Sequence, residues 1–368
     1  MVIVPQLLAD ARTTGHRGEI CQCRFTRDGK FVLSSGWDGR VLLWEVQTGA
    51  RISEIEVTSR PLTACASSPD GSKWLVGSMN GRAYQYDAVS HEMLSQEIWH
   101  TRPISRLAYS LDGRWMMSAS WDREIALRSL VEKIDPVHLH GHGDLITGCQ
   151  FSADAQYLLS WSHDRSVRLW SLETFSTEHE WTDHNSSVTA AAISPDSQWI
   201  ISAGRDGIVL VHDVASRTVV GAIEQKAEVC DCFFLPGGKH ALTVDVEGRA
   251  IFFHLPDLSP LKQLSTKHPL QSADLSPLGT QLALACKDGL VRFVQLEGIE
   301  EQPLRVIASS TDVEEPKGLG KLLGRATAKQ VSQFDCPTCA ATITRETAAH
   351  DQVGICPKCQ QQLHFCFG

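Results

Sequence analysis

The chain has 368 residues, a formal charge of −9, 42% hydrophobic residues and 21% charged ones. Such a chain is long enough for two ordinary domains, or for one large repeat domain and a small second one, with the composition of a soluble globular protein. The acidic balance argues against a molecule built to track a phosphate backbone, and no uncharged apolar run approaches the ~20 residues a bilayer span needs.

The first residues, MVIVPQLLADAR, lack the basic start and long apolar core of a secretory signal, so a cytoplasmic protein is expected. Next come four β-rich runs separated by turn residues: Ile20–Phe25, Phe31–Ser34, Val41–Trp44 and Ile52–Val57. The last alternates Glu54, Ile55, Glu56 and Val57, the pattern of a half-exposed outer strand.

This unit recurs. Turn residues fall at Asp38, Asn80, Asp122, Asp164, Asp206, Glu247 and Asp288, spaced by 42, 42, 42, 42, 41 and 41. A second turn series keeps the same register, from Asp28-Gly29 through Asp70-Gly71, Asp112-Gly113, Asp154-Ala155 and Asp196-Ser197 to Gly237-Gly238 and Leu278-Gly279. A four-stranded sheet this small cannot bury both faces alone. Seven stacked around an axis can, so the expected fold class is all-β, a seven-bladed β-propeller over residues 1–307. Ring closure needs a strand from one terminus; Gln6–Arg12 is expected to supply it, with Leu304–Ile307 as the rival.

The unit resembles the WD40 repeat, marked by Gly-His, a turn Asp and a terminal Trp-Asp. Gly15-His16 and Gly141-His142 carry the first mark, with partial versions at His100, His184 and His268. Trp44-Glu45, Tyr86-Asp87, Trp170-Ser171 and His212-Asp213 stand at the last. The resemblance implies buried hydrogen-bonded sets of His16, Ser34, Asp38 and Trp44, and of His142, Ser160, Asp164 and Trp170. A buried Asp beside an apolar sheet is costly unless such donors meet it. Units two, six and seven lack most of the set, and looser blades are expected there.

The resemblance also places the residue before each turn Asp on a top face beside the central channel: Trp37, Met79, Trp121, His163, Arg205, Val246 and Lys287. A second ring there would be Cys21, Thr63, Ser105, Thr147, Thr189, Cys230 and Gln271. Trp and Arg are enriched at interface hot spots, so the first ring is the candidate partner-binding surface. His138, His140 and His142 alternate, but His142 belongs to the Gly-His mark. The other two are expected on an outer strand without a carboxylate partner, which argues against a metal site.

Residues 308–333 read as a flexible linker. Lys317, Lys321, Arg325 and Lys329 fall four apart, but Gly318, Gly320 and Gly324 weaken any helix that would align them. From Lys317 onward six basic residues face three acids, leaving +3 on the tail against −12 on the rest. The segment 334–368 carries Cys336-Pro-Thr-Cys339 and Cys356-Pro-Lys-Cys359, sixteen residues apart. Two Cys-x-x-Cys pairs at this spacing are the pattern of a four-thiolate site for one structural zinc ion, and so short a segment needs the metal to fold. It resembles the small zinc ribbons appended to bacterial proteins, with Phe334 just before the first pair.

No Gly-rich phosphate loop, His-Glu-x-x-His or Gly-x-Ser-x-Gly is present. The expected function is therefore a non-catalytic scaffold that binds a protein or peptide, with the ribbon as a second contact. A nucleic-acid-associated factor using the basic tail is the alternative; +3 is a slight charge for that role. A channel-centred hydrolase would need carboxylates pointing into the channel, and the top-face positions hold none.

Overall fold

A computed structural model describes residues 15–266 and 268–296, together with the backbone of the strands Pro5–Leu7, Leu304–Ile307, Val331–Asp335, Thr342–Glu346, Gln352–Ile355 and Gln362–Cys366. The chain divides into two compact units, Met1–Glu301 and Gln302–Gly368.

The first unit is a ring of seven four-stranded antiparallel sheets. Blade one consists of Ile20–Phe25, Phe31–Gly36, Arg40–Glu45 and Arg51–Glu56, from the channel outward, and the others repeat it. The second turn series has a local chemical cause. Between the first two strands, Thr26 donates its hydroxyl to Asp28 at 2.6 Å, and Asp28 accepts the Lys30 N–H at 3.0 Å. Ser152 with Asp154 and Ser194 with Asp196 repeat the turn. Its next residue has positive φ; Gly29 suits that, whereas Ala155 (φ 55°) and Ser197 (φ 59°) adopt it at a cost.

Apolar faces meet between blades rather than within them. Ile20, Cys23, Phe25, Val32, Leu42 and Trp44 of blade one pack with Ala283, Ala285, Val291 and Phe293 of blade seven. Outer strands bury one face only, and Arg51–Glu56 alternates half-buried and exposed residues along its length.

The N-terminus closes the ring. Pro5–Leu7 pairs antiparallel with Val291–Leu296, in the register Pro5↔Leu296, Gln6↔Gln295 and Leu7↔Val294. The closing strand thus begins one residue before the expected Gln6–Arg12, whose remainder lies outside the described residues. Leu304–Ile307, expected either as a rival closer or as the propeller's last residues, instead runs parallel to Gln362–Cys366.

In every blade the pairing of the first two strands slips at the second residue. The extra residues are Cys21, Thr63, Ser105, Thr147, Thr189, Cys230 and Gln271. A bulge residue is released from the ladder and re-aimed. In blades two, four and five it turns toward the neighbouring blade: Thr63 donates to the Ile104 carbonyl, Thr147 to Val188 at 2.7 Å and Thr189 to Val229 at 2.6 Å. Three members of the second top-face ring are therefore seam clasps. With a typical net hydrogen bond worth about 1 kcal/mol, Thr147→Val/Thr189→Val is expected to lower the unfolding free energy by about 2 kcal/mol in urea titrations.

In the second unit, Val331–Asp335 pairs with Thr342–Glu346, and Gln352–Ile355 with Gln362–Cys366, both antiparallel. The first strand starts inside the stretch read from sequence as linker. Cys336 and Cys339 fall between Asp335 and its partner Thr342, and Cys356 and Cys359 between Ile355 and its partner Gln362. All four cysteines lie outside the described residues.

Candidate functional site

In blades one, three and four a histidine anchors the top-face turn from beneath. His16 Nδ1 lies 2.8 Å from Asp38 Oδ1, its Nε2 2.8 Å from Ser34 Oγ, and Trp44 Nε1 donates to Ser34 Oγ at 2.7 Å. In blade four, His142 lies 2.9 Å from Asp164 and 2.7 Å from Ser160, and Trp170 donates to Ser160 at 2.8 Å. Burial works against the charge on Asp38, but the hydrogen bond from His16 and the backbone N–H groups of Arg17 and Arg40 hold its pKa below the usual carboxylate range.

Two sets went unassigned in the sequence reading, although the 42-residue spacing carries their signal. His100 bonds Ser118 at 2.7 Å and Asp122 at 3.0 Å; burial notwithstanding, the His100 bond helps hold Asp122 down to about 2. Arg128 stands where Trp44 stands in blade one, and it lies over the Trp99 ring at 4.5 Å while pairing with Glu97. In blade five the Ser202 hydroxyl sits 2.8 Å from both His184 and His212.

Burial lowers the pKa of His184 and takes that of His212 down to about 3, with His184 and His179 adding to the effect on His212. Both rings fold as neutral bases. The stability they allow is complete above the unfolded histidine pKa of ~6.5 and is lost as pH falls through each lowered folded value, about 3 for His212. For His212 alone the loss reaches about 2 kcal/mol at pH 5. Thermal unfolding at pH 7 and pH 5 checks this. His212→Phe, which copies Phe253 of blade six, is expected to flatten the slope.

Above these anchors lies the ring of top-face positions. Trp37, Met79, Trp121, His163, Arg205, Val246 and Lys287 donate their backbone N–H groups to the carbonyls of Glu19, Pro61, Pro103, Leu145, Ser187, Glu228 and Pro269, at 2.8–3.0 Å. The bond recurs in all seven blades and fixes the backbone while leaving the side chains outside the ladder. Trp37 is 51% exposed and Trp121 40%, with half-buried Met79 on the blade between them. Arg205 and Lys287 are exposed, and His163 and Val246 half-buried.

Deeper in the channel, four charges converge from the inner strands. Arg24 Nη1 lies 3.6 Å from Asp274, and Arg106 reaches from blade three to within 3.5 Å of Asp231 in blade six. Asp231 also accepts the Ala273 N–H at 2.8 Å, and Asp274 accepts that of Phe25 at 2.8 Å. Carboxylates thus do occur along the channel, below the top-face positions. Both are engaged by arginine and backbone N–H groups.

His138 and His140 correct another expectation. Glu124, directly across from His140 in the ladder, lies 3.2 Å from His138 and 3.5 Å from His140. Even so, among the described residues no group of three or more His, Cys, Asp or Glu is arranged to hold a metal.

The WD domain, G-beta repeat family matches residues 10–45, 94–127, 135–171 and 175–213. Those stretches contain His16, His100, His142 and His184, so the match follows the histidine-centred sets. A 58-residue stretch, 16% of the chain, is 34% identical to the guanine nucleotide-binding protein subunit beta of Saccharomyces cerevisiae (strain ATCC 204508 / S288c) and spans 14% of that protein. The chain carries WD40 repeats in a seven-bladed β-propeller, an architecture that generally serves as a non-catalytic scaffold for protein partners.

Proposed function

We propose that this chain is a non-catalytic cytoplasmic scaffold whose propeller grips a protein or peptide partner on the top face, through Trp37, Met79, Trp121, His163, Arg205 and Lys287. The carrying observation is the pair of exposed tryptophans on turns whose backbone is fixed from below. Large aromatic side chains held in water on rigid turns supply apolar contact area at little ordering cost on binding. Pull-downs from lysate with wild type and Trp37→Ala/Trp121→Ala test the proposal. The double variant is expected to melt as wild type does and to lose specific partners; an unchanged partner list would retire the top face as the working surface.

The second contact is a zinc ribbon at Cys336, Cys339, Cys356 and Cys359. Two antiparallel hairpins with a Cys-x-x-Cys pair in each connection suit a tetrahedral four-thiolate site, and the donor set fits one structural zinc ion. Metal analysis of the purified chain is expected to give one zinc per molecule, and none after Cys336→Ser/Cys356→Ser. A zinc-free wild type would refute the ribbon while leaving the propeller's role intact. Nucleic-acid binding by the basic tail is the second reading; +3 over residues 317–368 is its only support.

A further inference from the structure

The aromatic arc on blades one to three has a charged margin. Arg17, Arg60, Arg102 and Arg123 stand in the top loops of these blades, and all four are exposed. Arg60 immediately precedes Pro61, whose carbonyl holds Met79, and Arg102 precedes Pro103, whose carbonyl holds Trp121. Arg123 lies two residues beyond Trp121, with φ 77°. None of the four guanidinium groups makes an ion pair among the described residues. Arg123 has only a long 3.5 Å hydrogen bond to the Gly143 carbonyl.

The carboxylates of these loops do not answer them. Asp38 and Asp122 are turned to His16 and His100 and to the N–H groups of Arg17 and Thr101, which leaves Glu19 as the exposed acid at this edge. Blades four to seven differ. There the exposed acids Asp144, Asp183, Asp206, Glu247 and Asp288 are interspersed with bases, and Arg205 sits 3.6 Å from Glu228. On a chain of net charge −9, an arc of unpaired arginines around two tryptophans is a local reversal of sign.

From this reversal we infer that the docking segment of the partner is a short acidic peptide bearing a large apolar side chain, an inference that rests on the top face being the working surface. The apolar side chain seats against Trp37, Met79 and Trp121, and flanking Asp or Glu residues meet Arg60, Arg102 and Arg123. Planar guanidinium groups match carboxylates with paired hydrogen bonds, and they are weakly enough hydrated to do so beside an indole. The rest of the acidic molecule repels such a peptide, so the field both steers it to this arc and fixes its direction. Single-stranded nucleic acid could stack on the same tryptophans. A strand longer than the arc, however, would run over the acids of blades four to seven, whereas a short peptide fits within it.

The test is a random-peptide phage selection on the full chain, followed by fluorescence titration of the enriched peptides and of an oligothymidylate. Titrations use wild type, Trp37→Ala/Trp121→Ala, and Arg60→Glu/Arg102→Glu/Arg123→Glu. Enriched peptides are expected to place two or more acids near an aromatic residue or leucine. Their binding should weaken about tenfold or more in each variant and fall with added salt. Neutral or basic peptides that bind wild type and are lost in the tryptophan variant would overturn the acidic-segment inference and leave the top-face function standing. Peptides indifferent to both variants, or no enrichment at all, would overturn both. Oligothymidylate binding more tightly than any peptide, and lost on arginine reversal, would replace the peptide with nucleic acid.

Discussion

Trp44→Ala is expected to lower the unfolding free energy by about 3–5 kcal/mol, the range for truncating a buried aromatic side chain. Trp44 is 1% exposed and packs at the junction of blades one and seven, among Phe25, Val32, Ala283 and Phe293. Two losses combine. The indole vacates space that neighbouring strands cannot fill without shifting, and Ser34 loses the N–H that meets it at 2.7 Å, in a set that also holds His16 and Asp38. Trp44→Phe separates them: most of the volume stays, only the hydrogen bond goes, and a cost of about 1–2 kcal/mol is expected. Trp37→Ala supplies the contrast. The same residue type seven positions earlier is half exposed, and its removal is expected to change stability by less than about 0.5 kcal/mol. Urea titrations followed by far-UV circular dichroism rank the three variants. Equal costs for Trp37→Ala and Trp44→Ala would contradict the assignment of one to surface and the other to core.

That contrast shows where sequence was informative. The blades were legible because each demands the same turn chemistry at the same interval, so Asp28 to Asp196 and Asp38 to Asp206 repeat at 42 residues. The same register carries the blade-three set of His100, Ser118 and Asp122, although Arg128 stands at its tryptophan position. Other features had no local signal. Among the described residues the closing strand pairs through Pro5–Leu7, and a segment that short carries no periodicity. The bulges at Thr63, Thr147 and Thr189 are set by pairing register, which sequence spacing does not report, so the seam-clasping role of these side chains is invisible in the sequence. Glu124 meets His138 and His140 across a ladder, and the channel charges meet across the ring; both are matters of tertiary distance.

Asp274→Ala tests that channel network and carries an expected cost of about 3 kcal/mol, the low end for a buried pair, because it leaves the half-buried Arg24 without its anion. Arg24 is already tightly used: Nη1 donates to the Cys23 carbonyl at 2.7 Å and to the Ala273 carbonyl at 3.0 Å, while Nη2 is buried without a partner. Removing Asp274 also strips the Phe25 N–H of its 2.8 Å acceptor, at the junction between the first and last blades. The pair itself contributes little net stability. Burial raises the Asp274 pKa above the usual carboxylate range by more than Arg24 and the Phe25 N–H lower it. A raised carboxyl pKa means that protonation favours the folded state, and this acid-side contribution is lost as pH rises through the folded value. Apolar replacement of both partners should therefore be mild: Arg24→Met/Asp274→Leu is expected to recover most of the loss and to lie within about 1–2 kcal/mol of wild type. The coupling energy from the double-mutant cycle decides the matter. A double variant as unstable as Asp274→Ala alone would mean that the network itself, and not the avoidance of a lone buried charge, holds the first and last blades together.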